Sequence, residues 1–151
     1  MMLVVLTLVL VLPSSLFAAA APVLSLDISA WTGARVGITL LFLLTGSAHF
    51  ARTEAMARML PPRVGFRVPM VHLTGVLELL GAVGIWIPSA SPTVGLSLIV
   101  MVALFLPVNV YAAFTRVPFG GHETGPAYLL ARIPFQFLLM GWIWVTTRGH
   151  P

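Results

Sequence analysis

The sequence predicts an all-α, polytopic membrane protein: a four-helix bundle preceded by one further hydrophobic segment. Two observations carry that prediction. Of the 151 residues, 59% are hydrophobic and only 8% are charged, and the mean hydropathy is +1.04. This excludes a soluble globular domain and a disordered chain. Apolar runs of about twenty residues also recur, the length a helix rising ~1.5 Å per residue needs to cross a hydrocarbon core of ~30 Å.

The N-terminal segment, residues 1–21, is apolar throughout and interrupted only by Pro13-Ser14-Ser15. Leu3 to Leu12 has the length of a signal-peptide core and Ala18-x-Ala20 suits a cleavage site, but the positively charged start is missing. Two readings stay open, a cleaved signal and a retained fifth helix. A short connector around Asp27 follows. The four-span domain then occupies 31–147.

Its first span is 31–50, with Trp31 and Arg35 placed for an interface and Gly46 and His49 at the far end. Residues 51–67 carry Arg52, Arg58, Arg63 and Arg67 among Met56, Met59, Leu60 and Phe66, and are broken by Pro61-Pro62. They read as an amphipathic segment on the membrane or as an Arg-rich loop. The second span, 68–88, has one charge, Glu78, near its middle. On a helical wheel Thr74, Gly75, Gly81 and Ala82 share its face, so small residues flank the acid where neighbouring helices approach. The third span, 93–114, contains Pro107 and Asn109. The fourth, 126–146, starts on Pro126 and places Arg132 and Gln136 on one face. Trp142 and Trp144 mark its far interface.

Eight basic side chains, all arginine, stand against four acids for a net charge of +4. No dense basic run of the kind that tracks phosphates occurs, which argues against nucleic acid as a partner. The lipid bilayer is the expected partner. Arginine counting sets orientation: Arg52, Arg58, Arg63, Arg67 and Arg116 lie on one side, against Arg35 and Arg148 on the other. The positive-inside rule puts the first group in the cytoplasm. The absence of cysteine excludes disulfides, thiol redox catalysis and Cys-ligated metals.

Alternating spans bring several polar groups to comparable depth near the cytoplasmic end: His49, His72, Glu78, Asn109, Tyr111 and Arg132. Glu78 and Arg132 are the expected ion pair, since each otherwise faces hydrocarbon alone. The cluster suits structural glue that fixes helix register, or a pocket for a small molecule such as a quinone headgroup. Ligation of haem or another metal by the two histidines is a third reading. His122-Glu123 reads as a solvated loop pair. No nucleophilic triad, phosphate loop or zinc signature is present, so no catalytic residue, metal site or cofactor is assigned.

Several stretches carry a resemblance. They are Gly46-Ser47-Ala48-His49-Phe50, Met59-Leu60-Pro61-Pro62, Leu73-Thr74-Gly75-Val76-Leu77-Glu78-Leu79-Leu80-Gly81-Ala82 and Pro107-Val108-Asn109-Val110-Tyr111. In their order and spacing the chain resembles the DoxX-like family of small bacterial membrane proteins. The resemblance implies a four-helix bundle in the bacterial inner membrane and a function that is mostly undefined. Relatives resemble a thiosulfate:quinone oxidoreductase subunit and parts of membrane redox complexes. The expected role is therefore a non-catalytic membrane subunit or accessory factor with partner membrane or redox subunits. The alternative is a quinone- or apolar-ligand-binding subunit of an oxidoreductase.

Overall fold

The computed structural model describes the backbone of residues 2–24 and 30–148, and the side chains of 2–20 and 31–148. Every regular element among them is helical. The order is α1 (Met2–Leu24), α2 (Ala30–Ala51), α3 (Thr53–Ala57), α4 (Arg67–Gly84), α5 (Ser91–Phe114), a 3-10 helix over His122–Tyr128, and α6 (Leu129–Arg148). The connector at Asp27 and the terminal His150 lie outside the described residues.

Four segments are long and apolar enough to cross a membrane: Met2–Ala20, Trp31–Ala51, Ser91–Phe114 and His122–Arg148. The number matches the expected four spans, but the membership differs. The N-terminal segment qualifies, and α4 does not. Arg67 opens α4, His72 and Glu78 lie inside it, and its 18 residues rise only about 27 Å. The helix also stops at Gly84, short of the expected Pro88. Trp86 and Ile87 donate to the carbonyls of Val83 and Gly84, a three-residue spacing that tightens the end before proline.

The two faces of α4 are inverted relative to a soluble helix. Val71, Gly75, Glu78, Gly81 and Ala82 are buried, while Leu73, Val76, Leu77, Leu80 and Val83 point outward. Glu78 is 3% exposed and Leu80 is 63% exposed. Water would favour the reverse. Hydrocarbon favours this arrangement, because it solvates leucine and not carboxylate.

In packing, α2 lies between α1 and α4, α5 lies against α6, and contacts of α4 with α5 and of α2 with α6 join the two halves. Leu10, Ile38, Phe42, Ala82, Ile85 and Ile143 meet in the common core. Lipid tails are as apolar as these side chains, so close packing is the force that holds them together. Glycine makes it possible. A Cβ on Gly37 would strike the Leu10 carbonyl, and one on Gly33 would stand 2.7 Å from the Pro13 oxygen. Residues 33 and 37, one turn apart, thus form the groove in which α1 lies.

The segment after α2 is mostly loop. The α3 helix has five residues, and Phe66 is 85% exposed in the left-handed region (φ 54°). The expected start of the fourth span at Pro126 shifts to Leu129, because the chain first makes the 3-10 turn, with Gly120, Gly121 and Gly125 at positive φ. The α5 helix runs through Pro107 and α6 runs through Pro134.

Gly37→Ala should destabilise the protein by about 1–3 kcal/mol, since a backbone oxygen cannot rotate out of the way. Gly141→Ala faces open space and should be neutral or stabilising by up to about 1 kcal/mol through helix propensity. Reversible unfolding in detergent compares the two. Equal stability of Gly37→Ala and the parent would mean that α1 is not docked on α2.

Candidate functional site

The polar interior begins where α2 and α4 touch most closely. A Cβ on Gly75 would lie 2.6 Å from the Cβ of His49 and 3.1 Å from the Gly46 carbonyl oxygen; one on Gly46 would lie 3.2 Å from the Cβ of Glu78. This reciprocal approach of Gly46 and Gly75 sets His49 and Glu78 side by side across the seam.

His49 Nε2 lies 3.4 Å from Glu78 Oε1, and Thr45 Oγ1 lies 2.5 Å from Glu78 Oε2. Nδ1 of His49 is 2.8 Å from the Val71 carbonyl oxygen. A carbonyl only accepts, so Nδ1 carries a proton and donates it there. The tautomer is thereby fixed. Nε2 then faces the Glu78 carboxyl group across the seam. Thr74 adds its hydroxyl 3.1 Å from the same Nδ1.

The expected Glu78–Arg132 ion pair does not form. Glu78 is engaged by His49 and Thr45 on the α2 seam, and Arg132 on α6 comes close enough to feel its charge without making a contact pair. Arg132 Nε is buried with no hydrogen-bond partner, as is the hydroxyl of Tyr128 one turn earlier. The Arg132 guanidinium lies 5.8 Å from the centre of the Phe135 ring. Gln136, one turn further, donates to the Val102 carbonyl at 2.7 Å and so ties α6 to α5.

A second centre joins α5 to the 3-10 turn. Asn109 donates through Nδ2 to the Phe105 carbonyl at 2.7 Å, which turns its Oδ1 toward His122 Nε2 at 3.0 Å. His122 Nδ1 is 2.7 Å from the Phe119 carbonyl oxygen. His122 is 1% exposed, with the Tyr128 ring 4.5 Å away between centroids. This corrects its reading as a solvated residue. Only Glu123 is exposed, accepting from the Gly121 N–H. Gly121 is the enabling residue: φ is +100°, and a Cβ there would strike the Tyr128 ring.

The six expected site residues therefore divide. His49 and Glu78 meet. Asn109 joins His122, which spacing alone did not select. His72 sits apart at the α3 end, 3.1 Å from Thr53 Oγ1 and stacked on Phe50. Tyr111 is partly buried and makes no side-chain hydrogen bond among the described residues. Arg132 makes no ion pair or side-chain hydrogen bond among the described residues, and its Nε is buried. Among the described residues no group of three or more His, Asp or Glu gathers in a metal-binding arrangement.

Residues 38–147, nearly all of α2 through α6 and every residue of both centres, match one family model. The chain belongs to the DUF8561 family, a domain of unknown function. No curated protein and no solved structure matches it. The DUF8561 match includes Gly46 and Gly75, and it begins beyond the Gly33 and Gly37 groove that receives α1.

His49→Leu and Glu78→Met should each cost about 1–3 kcal/mol, because each leaves a buried polar partner unsatisfied. The double variant, which replaces the pair by apolar groups, should cost less than the sum by at least about 1 kcal/mol. A double-mutant cycle on unfolding in detergent measures it. Additive losses would mean that the contact carries no coupling.

Proposed function

We propose that this chain is a DoxX-like integral membrane bundle that serves as a non-catalytic subunit or accessory factor of a bacterial inner-membrane complex. The observation that carries this reading is the closure of the histidine chemistry at the two interior centres, His49 and His122. Both nitrogens of His49 and both nitrogens of His122 are taken by Val71, Glu78, Phe119 and Asn109, which leaves neither ring an open nitrogen for proton transfer to a substrate. These contacts pin α2 to α4 and α5 to the 3-10 turn. Outward, Leu73, Val76, Leu77, Leu80 and Val83 offer an unbroken apolar face on α4, suited to lipid or to a partner's transmembrane helix.

A second reading, binding of a quinone or another apolar molecule, draws on a separate feature. A cavity of about 650 Å³ lies between α1, α2 and α6, lined by Ala18, Ala34, Phe137, Leu138, Trp142 and Val145. Its size and apolar walls fit a small hydrophobic ligand. It lies away from the histidines, so such a ligand would be held without titrating groups beside it.

Organic extraction of the protein purified in mild detergent separates the readings. Protein that co-purifies with a fixed partner and releases no quinone fits the accessory role; one quinone per chain would replace it with the second reading. In the proposed topology α4 crosses the membrane as well, and the Arg-bearing loops face the cytoplasm. Cysteines placed at Arg58 and Ser89, both exposed, should then label from opposite sides of an intact membrane, with Arg58→Cys on the cytoplasmic side. Labelling of both from one side would contradict the arrangement.

A further inference from the structure

We propose that the cavity between α1, α2 and α6 binds an uncharged lipid alcohol, with its hydroxyl met by Thr146 and Ser14 and its apolar body laid against Phe137 and Leu138. The proposal rests on the second reading, that this cavity holds a small apolar molecule, and adds the chemistry of the polar end. Every lining residue belongs to a segment long and apolar enough to cross a membrane. Ala18, Leu138, Gly141 and Val145 are exposed, so the cavity opens sideways, toward hydrocarbon. Its occupant therefore enters from the bilayer. The volume, about 650 Å³, lies within the ~300–1,000 Å³ of ordinary ligand pockets.

Thr146 is the residue that points to a polar group on the ligand. It is 4% exposed, lines the cavity and makes no hydrogen bond among the described residues. Its neighbour Thr147 shows the ordinary solution inside a membrane helix, donating to the Ile143 carbonyl one turn back at 2.8 Å. Thr7, Thr39 and Thr45 do the same with Leu3, Arg35 and Leu41. A buried hydroxyl without that bond gains from a partner that a ligand brings. The Trp142 indole N–H, by contrast, is sealed as well as unpartnered and offers a ligand nothing.

The α1 wall supplies acceptors. Ser14 donates to the Val11 carbonyl at 2.7 Å and Ser15 to the same oxygen at 3.3 Å, so each serine has committed its proton and presents lone pairs. Thr146 still has a proton to give. A ligand O–H matches both walls, accepting from Thr146 and donating to serine. An oxidised quinone, which carries carbonyls only, would leave the serines unmet. No charged side chain and no histidine lines the cavity among the described residues, and an ionised headgroup in hydrocarbon would be uncompensated. Thr146 stands two residues before the end of α6. Leu138 lies eight positions back along the same helix, about 12 Å by helical rise. The occupant is thus a long apolar chain with a hydroxyl at one end.

The full chain in an uncharged maltoside detergent, with α1 verified by intact mass, provides the test. The probe is ω-bromoundecanol, because bromine quenches indole fluorescence on contact and Trp142 lines the cavity. It should quench saturably and bind about three- to tenfold more tightly than bromoundecane, the worth of one hydrogen bond. Thr146→Val should erase that preference by weakening the alcohol alone; a preference that survives would overturn the role of Thr146. Gly141→Leu, which fills open space at the cavity wall, should abolish saturable quenching by both probes. Equal affinity of the two probes in the parent, with both blocked by Gly141→Leu, would keep the cavity as an apolar site and overturn the hydroxyl assignment. Tighter binding of ω-bromoundecyl trimethylammonium than of the alcohol would reveal a counter-charge and overturn it too. No saturable quenching by either probe, quenching unchanged in Gly141→Leu, or loss of α1 from the purified chain would refute the site together with the reading it rests on.

Discussion

The contact on which the rest of the interior depends is the approach of Gly46 on α2 to Gly75 on α4. In hydrocarbon, two helices gain nothing by hiding leucines from solvent, so they associate where their backbones approach and their polar groups reach one another. Here the two requirements are met together. Without a Cβ at Gly75, His49 passes close enough for Nδ1 to reach the Val71 carbonyl and for Nε2 to reach Glu78. A carboxyl group that would be prohibitive facing lipid becomes tolerable because His49 and Thr45 meet its two oxygens on the seam.

The same logic recurs through the fold. Gly37 receives α1, Gly81 packs on Leu98 of α5, and Gly95 packs on Thr147 of α6. The helices are joined by small residues at their crossings, and the large apolar side chains are divided between a thin core and the lipid-facing surface. Most buried polar residues are tied to a backbone carbonyl or to another side chain; among the described residues Ser91, Tyr128, Arg132, Gln136 and Trp142 each keep a buried polar atom without a partner. Of these, Tyr128, Arg132 and Gln136 lie at successive turns on a single face. That face differs in kind from the His49 seam, which is internally complete.

Much of the architecture was legible in the sequence, for a physical reason. The spans are set by hydropathy and length, and the buried face of α4 follows from helical periodicity around Glu78, whose flanking Gly75, Gly81 and Ala82 are indeed turned inward. What failed to follow was pairing between helices. Periodicity places Glu78 on a face but does not say which neighbour that face meets, so Arg132 was assigned to an acid that His49 and Thr45 already hold. Thr45 carries no charge and His122 follows two glycines, which made both look incidental. Their roles depend on a seam and a turn that only three-dimensional packing creates. Likewise, Arg67, His72 and Glu78 within α4 are what keep it below the hydropathy of a membrane span.

The central claim is that helix approach and the buried pair are one device, and a cross-coupled cycle tests it most directly. Glu78→Met would be measured in the parent and again in Gly75→Ala, where a methyl group pushes His49 off the seam. If the glycine contact holds the pair together, the cost of Glu78→Met should fall from about 1–3 kcal/mol to near zero in the Gly75→Ala background. An unchanged cost in both backgrounds would show that Glu78 finds its stabilisation elsewhere, and the account given for the α2–α4 seam would be wrong.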